Sequence, residues 1–365
     1  MPDKIRVGIV GATVTQGGSG WGANAHVPAI KLLPEYELKA VCTSREETAQ
    51  ASKEKFGAEL AFHDINDMAA HPDVDLIVVS VRVPWHRDLV MAGLQAGKPV
   101  FCEWPLGANL AEAEEMNNLA KSKSLRTMVG LQARSDPSVM YARDLIADGH
   151  IGEVLTASLS VVSGAQLVRG PGRIWQGQRS NGANTFTISG GHAFDAMCAI
   201  LGEFDEVEGR LATRIKNWQT EEGQPVPVDS PDVISFAGAL QGGAEVAVHI
   251  ASVPSNPTGS MLTIYGSEGT MSMRGGMNIG GNQLAVGKGK DPLAEMEIPD
   301  KYKLAPEGTP SGPPRNVAQA YVRAADAWAA GETFSPDFEL AVVRHKLIDA
   351  IERSAAEGKA VKVAH

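Results

Sequence analysis

Ile5-Arg6-Val7-Gly8-Ile9-Val10-Gly11 is the stretch on which the fold of this chain turns. Its β-branched residues and closing glycine describe a short strand buried on both faces, as in a parallel sheet. A Gly-rich run follows, and from Ala23 to Leu33 apolar residues recur at helical spacing until Pro34 stops them. The same alternation then repeats. Strands are expected at Leu38–Cys42, Asp75–Val81, Pro99–Cys102 and Arg126–Gly130, and helices at Glu46–Phe56, Arg87–Ala96 and Leu110–Lys121. Strand and helix in strict succession define an α/β fold with a doubly wound parallel sheet of the Rossmann type, here assigned to residues 1–130.

Beyond Gly130 the pattern changes. One helix is expected from Ser138 to Ala147, followed by strands at Val154–Ser163, Glu206–Ile215, Val233–Leu240, Ala244–Ser252 and Met261–Gly266 joined by Gly/Pro-rich turns. Residues 131–365 therefore read as a second, α+β domain with a large, mostly antiparallel sheet. The segment from Asn278 to Pro314 reads as an irregular surface loop, and helices at Asn316–Ala330 and Phe338–Glu357 close the chain, free to pack back on the first domain.

The composition narrows the class. With 365 residues the chain is long enough for two cores, and 43% hydrophobic with 21% charged residues is ordinary globular usage. A net charge of -10 repels polyanions, so nucleic acid is excluded as a partner. Cys42, Cys102 and Cys198 form no close pair and read as reduced, buried thiols, with neither a disulfide nor a zinc site. No apolar stretch reaches membrane-spanning length and the amino terminus carries no signal pattern, so a cytoplasmic location is expected, with no membrane partner.

In open α/β sheets a ligand binds at the carboxyl ends of the strands. The loop Gly11–Gly22 departs from G-x-G-x-x-G, with Thr13 at the second glycine position and an insertion before the helix. It still follows a strand and opens a helix, where backbone N–H groups attract a pyrophosphate. Gly11, Ala12, Thr13, Gly20 and Trp21 are the candidates there. After the second strand stand Thr43, Ser44 and Arg45, hydroxyls and a guanidinium where NAD enzymes often place a carboxylate. The cofactor is read as NAD or NADP, with a lean to NADP.

Three further segments carry a resemblance: Ser80–His86, Gly97–Gly107 and Ser189–Asp195. With the opening Gly11–Ile30 and the closing Ser354–Val361, they resemble, in order, landmarks of the Gfo/Idh/MocA oxidoreductases. Glu103-Trp104-Pro105 and the Gly-Gly-His pattern also resemble the branch that holds a yeast galactose-pathway repressor. The resemblance implies a dinucleotide whose nicotinamide lies at the domain junction, with Val81, Val83, His86, Glu103, Trp104, Gln132 and Trp175 as further cofactor contacts. It implies a homodimer or homotetramer as well.

At two positions the chain departs from that family. Its Glu-Lys-Pro is Glu103-Trp104-Pro105, and the Asp four residues before its histidine is Ile188. An indole N–H donates a hydrogen bond but accepts no proton, so Trp104 can shape or stack in a site without replacing the lysine. His192 remains as the general base, since imidazole titrates near neutrality. Asp195, one turn later on the same helix, is positioned to orient it.

Arg169, Arg173 and Arg179 lie in one Gly-rich loop and suggest an acidic substrate. The expected function is an NAD(P)-dependent oxidoreductase transferring hydride to or from a secondary alcohol of a sugar, sugar acid or glycoside. The alternatives are oxidation-assisted glycoside cleavage and a catalytically silent dinucleotide-binding regulator. No histidine pair has metal-ligand spacing, so no metal is assigned.

Overall fold

The computed structural model describes residues 4–14, 20–276 and 280–365. Thr15–Ser19 of the expected pyrophosphate loop lie outside the described residues. The chain divides into two compact units, one made of Met1–Gln132, Pro171–Arg173 and Leu304–Val342, the other of Ala133–Gly170, Ile174–Lys303 and Val343–His365.

In the first unit, strands β1 (Ile5–Val10), β2 (Tyr36–Cys42), β3 (Leu60–Phe62), β4 (Leu76–Val79), β5 (Val100–Cys102) and β6 (Thr127–Val129) form one sheet in the order β3-β2-β1-β4-β5-β6. Every pair is parallel. The crossover helices are α1 (Val27–Leu32), α2 (Glu46–Phe56), α3 (Ile65–Ala70), α4 (His86–Gln95) and α5 (Leu110–Ser122). Order reverses between β1 and β4, the switch point at which doubly wound sheets take their ligand. Two contacts explain the glycines of the first loop. Gly11 has φ +99, and a Cβ there would stand 2.0 Å from the Ser80 carbonyl oxygen. A Cβ on Gly22 would meet Ala12 N at 3.0 Å, so glycine there lets the helix start lie closely against the strand end.

Sequence reading expected one helix over Ala23–Leu33, but the structure has a π-helical turn at Gly22–His26 that passes into α1. A much later element completes this core. From α8 (Pro313–Ala329), Val317, Tyr321, Ala324 and Trp328 join Val7, Ile9, Ile30 and Tyr36 in one buried cluster, and the Tyr36 hydroxyl donates to the Tyr321 carbonyl at 2.9 Å.

The second unit contains α6 (Pro137–Ala147), β7 (Val154–Gly164), α7 (Gly191–Leu201), β8 (Phe204–Ala212), the hairpin β9 (Asn217–Gln219) and β10 (Pro225–Pro227), β11 (Val233–Leu240), β12 (Glu245–Val253), β13 (Gly259–Gly266), β14 (Gly269–Gly275), β15 (Gln283–Lys288), β16 (Ala294–Glu295) and β17 (Val361–Lys362). Nine strands make one sheet, β16-β15-β14-β13-β7-β12-β11-β8-β17, in which only β12 and β7 run parallel. Period-2 burial marks its inner face: Ala157, Leu159 and Val161 alternate with exposed or half-buried neighbours, as do Val246, Val248 and Ile250. Helix α9 (Phe338–Glu357) starts in the first unit and continues in the second.

The expected irregular loop over Asn278–Pro314 is corrected here, because Gln283–Lys288 and Ala294–Glu295 extend the sheet beyond β14. Leu284 and Val286 turn inward, 1% and 6% exposed, and cover what would otherwise be an open edge at β14. Surrounding glycines and prolines masked that short alternation.

Candidate functional site

Parallel pairing places the carboxyl ends of all six strands of the first unit on one edge. Backbone bonds tie the residues just past them: Thr43 N to Phe62 O at 3.1 Å, Gly11 N to Cys42 O at 3.2 Å, Ser80 N to Val10 O at 2.9 Å, Glu103 N to Val79 O at 3.0 Å and Gly130 N to Cys102 O at 2.9 Å. This edge carries Gly11, Ala12, Thr13, Thr43, Ser44, Arg45, Val81, Val83, His86, Glu103, Trp104 and Gln132, with Gly20 and Trp21 at the start of the following helix. Ala12, Thr43, Val83 and Trp104 are buried, whereas Ser44 and Arg45 are exposed. The Thr43 hydroxyl is occupied locally, 3.0 Å from Arg45 O and 2.6 Å from the Thr48 hydroxyl.

His86 joins two loops of this edge. Its Nδ1 lies 2.8 Å from Pro105 O and its Nε2 3.2 Å from Val81 O, while burial pushes its pKa below the ordinary histidine value. The neutral ring donates to one of those carbonyls, and the shorter contact, to the loop holding Trp104, is the better placed. Glu103 is gripped from the other side, its Oε1 accepting from His26 Nε2 at 2.8 Å. His26 Nδ1 in turn faces the Tyr321 hydroxyl at 3.0 Å. Gln132, 3% exposed, has no hydrogen-bond partner for its side-chain oxygen. An orphaned buried acceptor on the carboxyl edge of the sheet is what a site for a hydrogen-bonding ligand offers.

In the second unit Asn184 begins a π-helical turn, Thr185–Gly190, through a reciprocal cap with Thr187. The turn runs directly into α7, so that Gly190 and Gly191 lead to His192, which is 7% exposed. Asp195 has two partners that sequence reading did not supply. Both its oxygens stand 2.8 Å from Arg134 Nε, and Oδ1 is also 3.3 Å from Arg344 Nε. Arg344 further donates to Glu203 at 2.9 Å and to Cys198 Sγ at 3.2 Å, and Arg134 Nη2 lies 3.6 Å from Glu203. Burial opposes the charge on Glu203, but the facing arginines win and hold its pKa below the usual carboxylate value. Asp195 thus belongs to a charge-balanced cluster of two carboxylates and two guanidinium groups, which satisfies the rule that buried charges are paired.

The arginine loop divides in the same way. Arg169 stacks 4.3 Å from the Trp218 ring centroid and Arg179 pairs with Glu352 at 2.8 Å, whereas Arg173 is exposed. The carbonyl of half-buried Trp175 accepts from Asn181 Nδ2 at 2.6 Å.

Sequence reading missed His26, Tyr321, Arg134, Glu203 and Arg344 as participants. One signal existed for Arg344, a charge on the stripe Ala341, Ile348, Ile351 that α9 buries. Among the described residues no group of three or more His, Cys, Asp or Glu could hold a metal, and no helix is long and apolar enough to cross a membrane. The three cysteines are free and buried.

A six-stranded parallel sheet in this order, with its glycine turn at the switch point and a companion unit built on a large mixed sheet, defines a dinucleotide-binding class of protein. Comparison agrees: a family model described as "Oxidoreductase family, NAD-binding Rossmann fold" matches residues 5–131, and one described as "Gal80p, C-terminal domain" matches residues 137–275. The chain is 31% identical to Dehydrogenase aclE of Aspergillus oryzae, with 98% of each chain covered. It is 27% identical to the galactose/lactose metabolism regulatory protein GAL80 of Saccharomyces cerevisiae over 74% of this chain and 67% of that one. A solved levoglucosan dehydrogenase in complex with NADH and levoglucosan shares the fold with a TM-score of 0.86 at 22% identity, covering 99% of this chain and 100% of that one. The chain belongs to the Gfo/Idh/MocA oxidoreductase family, with a second domain of the Gal80p type.

Proposed function

We propose that this protein is an NAD(P)-dependent dehydrogenase acting on a secondary alcohol of a sugar, sugar acid or glycoside, with His192 as the proton acceptor. The observation that carries this reading is the likeness to Dehydrogenase aclE, 31% identity across 98% of both chains. The bound dinucleotide would supply the hydride acceptor or donor. The backbone at Gly11–Thr13 and at Gly20 and Trp21 would receive its pyrophosphate, and the orphan oxygen of Gln132 suits an amide donor. Exposed Ser44 and Arg45, a hydroxyl and a guanidinium just past the end of β2, suit a ribose 2′-phosphate and hence NADP. His192 accepts the hydroxyl proton; Trp104, lacking a basic nitrogen, shapes the pocket without exchanging protons. Oxidation-assisted glycoside cleavage uses the same groups.

A second reading has a specific basis in the Gal80p-type second domain and the tryptophan at the lysine position: a regulator that binds the dinucleotide without turning it over. The purified protein decides between them. The co-purifying dinucleotide is identified, and nicotinamide absorbance is followed against sugars, acidic sugars and glycosides. Turnover on any of these supports the dehydrogenase, whereas tight dinucleotide binding with no turnover on the whole panel supports the regulator.

A further inference from the structure

We infer that Arg134 is a positioning residue for His192, acting through Asp195; this rests on the proposed role of His192 as proton acceptor. Helix α7 is buried on nearly all sides, from Gly191 through Cys198 and at Ile200, so its rotation is fixed by what its few polar groups meet. Asp195, 0% exposed and one turn beyond His192, is the only acid on the helix. Its carboxylate is shared between two arginines of different standing. Arg344 is wholly buried and is held by Glu203 and Cys198 as well as by Asp195. Arg134 reaches in from the short turn Gln132–Ser135 that follows β6, its Nε equidistant from both carboxylate oxygens at 2.8 Å. Nη2 of Arg134 is buried and makes no hydrogen bond. Its anchorage therefore rests on the bond to Asp195 and the 3.6 Å approach to Glu203.

Two consequences for His192 follow. The first is geometric: the Arg134–Asp195 bond ties α7 to the turn after β6 and so sets the direction of the His192 Cβ, one turn away on the same helix. The second is electrostatic. Asp195 and Glu203 are balanced by Arg134 and Arg344, so the cluster one turn along the helix from His192 carries no net charge. Loss of Arg134 leaves one negative charge in excess beside the ring and favours the imidazolium.

The test compares the full chain with Arg134→Met and Arg134→Lys, following the His192 ring proton by NMR titration, assigned by its loss in His192→Asn, together with kcat and KM on the best substrate. In Arg134→Met the titration midpoint is expected to rise by roughly half a pH unit or more. There kcat is expected to fall on the order of tenfold, with KM changed by less than about twofold. Arg134→Lys restores the charge but not the planar Nε donor, so the midpoint returns toward wild type while kcat recovers only in part. An Arg134→Met protein with an unmoved midpoint and unmoved kcat, or with only a lower melting temperature, overturns the inference. Should Arg134→Met fail to fold, Arg134→Lys decides: full wild-type kcat overturns the geometric role and a displaced kcat supports it. The proposed base fails separately, if His192→Asn retains full turnover.

Discussion

His26 Nε2 lies 2.8 Å from Glu103 Oε1, and the other nitrogen of the same ring lies 3.0 Å from the Tyr321 hydroxyl. Three distant parts of the chain meet in this bridge: the helical turn after the first loop, the end of β5 and helix α8. Burial, with Tyr36 and Glu103 nearby, raises the Tyr321 pKa well above normal, so its hydroxyl keeps its proton and can donate to His26 Nδ1. Nε2–H of His26 can then donate to the Glu103 carboxylate, so that all three side chains have partners.

Breaking that bridge has a graded cost. Glu103→Ala leaves a buried His26 donor unmet and should destabilise the protein by about 2–3 kcal/mol. Glu103→Gln keeps an acceptor and should cost about 1 kcal/mol, as should Tyr321→Phe. Urea midpoints measure all three. Equal losses for Glu103→Ala and Glu103→Gln would show that the hydrogen bond is not what holds the loop.

At Gly11 the backbone has a positive φ, and a Cβ added there would lie 2.0 Å from Ser80 O, which leaves no room for a side chain. Gly11→Ala should cost on the order of 2–4 kcal/mol and weaken dinucleotide binding, because β1 and β4 must part to admit the methyl group. Denaturant unfolding and dinucleotide titration are the checks, and wild-type values in both would contradict the geometry.

Removing Arg344 leaves two carboxylates, Asp195 and Glu203, facing one guanidinium, that of Arg134. Arg344→Met should cost about 3–5 kcal/mol. Arg179→Ala, which breaks a pair with both partners partly exposed, should change stability by less than about 1 kcal/mol. Comparable losses from the two substitutions would argue against the buried cluster as the stabilising one.

Acid should weaken the fold through His345. Burial lowers its pKa from 6.5 to about 3, so between those values the unfolded chain binds a proton that the folded chain does not. Stability is therefore complete above about pH 6.5 and falls as pH drops toward 3, by up to about 1.4 kcal/mol per pH unit. Buried His86, shifted down for the same reason, adds in the same direction. His345→Leu should flatten the dependence between pH 7 and 5, measured by denaturant unfolding at each pH; an unchanged slope would acquit His345.

For catalysis, His192→Asn should lower kcat by about 10²–10⁴-fold while leaving dinucleotide affinity close to wild type. A matching loss of affinity would instead assign His192 to binding.

Local pattern was enough for the parallel alternation of the first unit, although it missed the short strand β3 (Leu60–Phe62) and helix α3 (Ile65–Ala70). Buried strands such as Leu76–Val79 and amphipathic helices announce themselves within a dozen residues, and alternation of the two leaves a parallel sheet as the economical arrangement. The carboxyl-edge residues were legible for the same reason, since each directly follows a readable strand. Short strands near the sheet edge such as β15 were not, because three or four alternating residues among glycines carry little periodic signal.

Composition and motif also placed His192 at the head of its helix, but they left Asp195 beside it as an orienting acid. Only the tertiary structure could supply its partners, because Arg134 and Arg344 lie 61 and 149 residues away. The pairing of Glu103 with His26 and Tyr321 was beyond local reading in the same way. Helix periodicity and strand alternation are short-range effects of backbone geometry, fixed by neighbours in sequence. Which buried charge neutralises which depends on the desolvation cost at one place in the folded chain, and that place does not exist until distant segments have packed together.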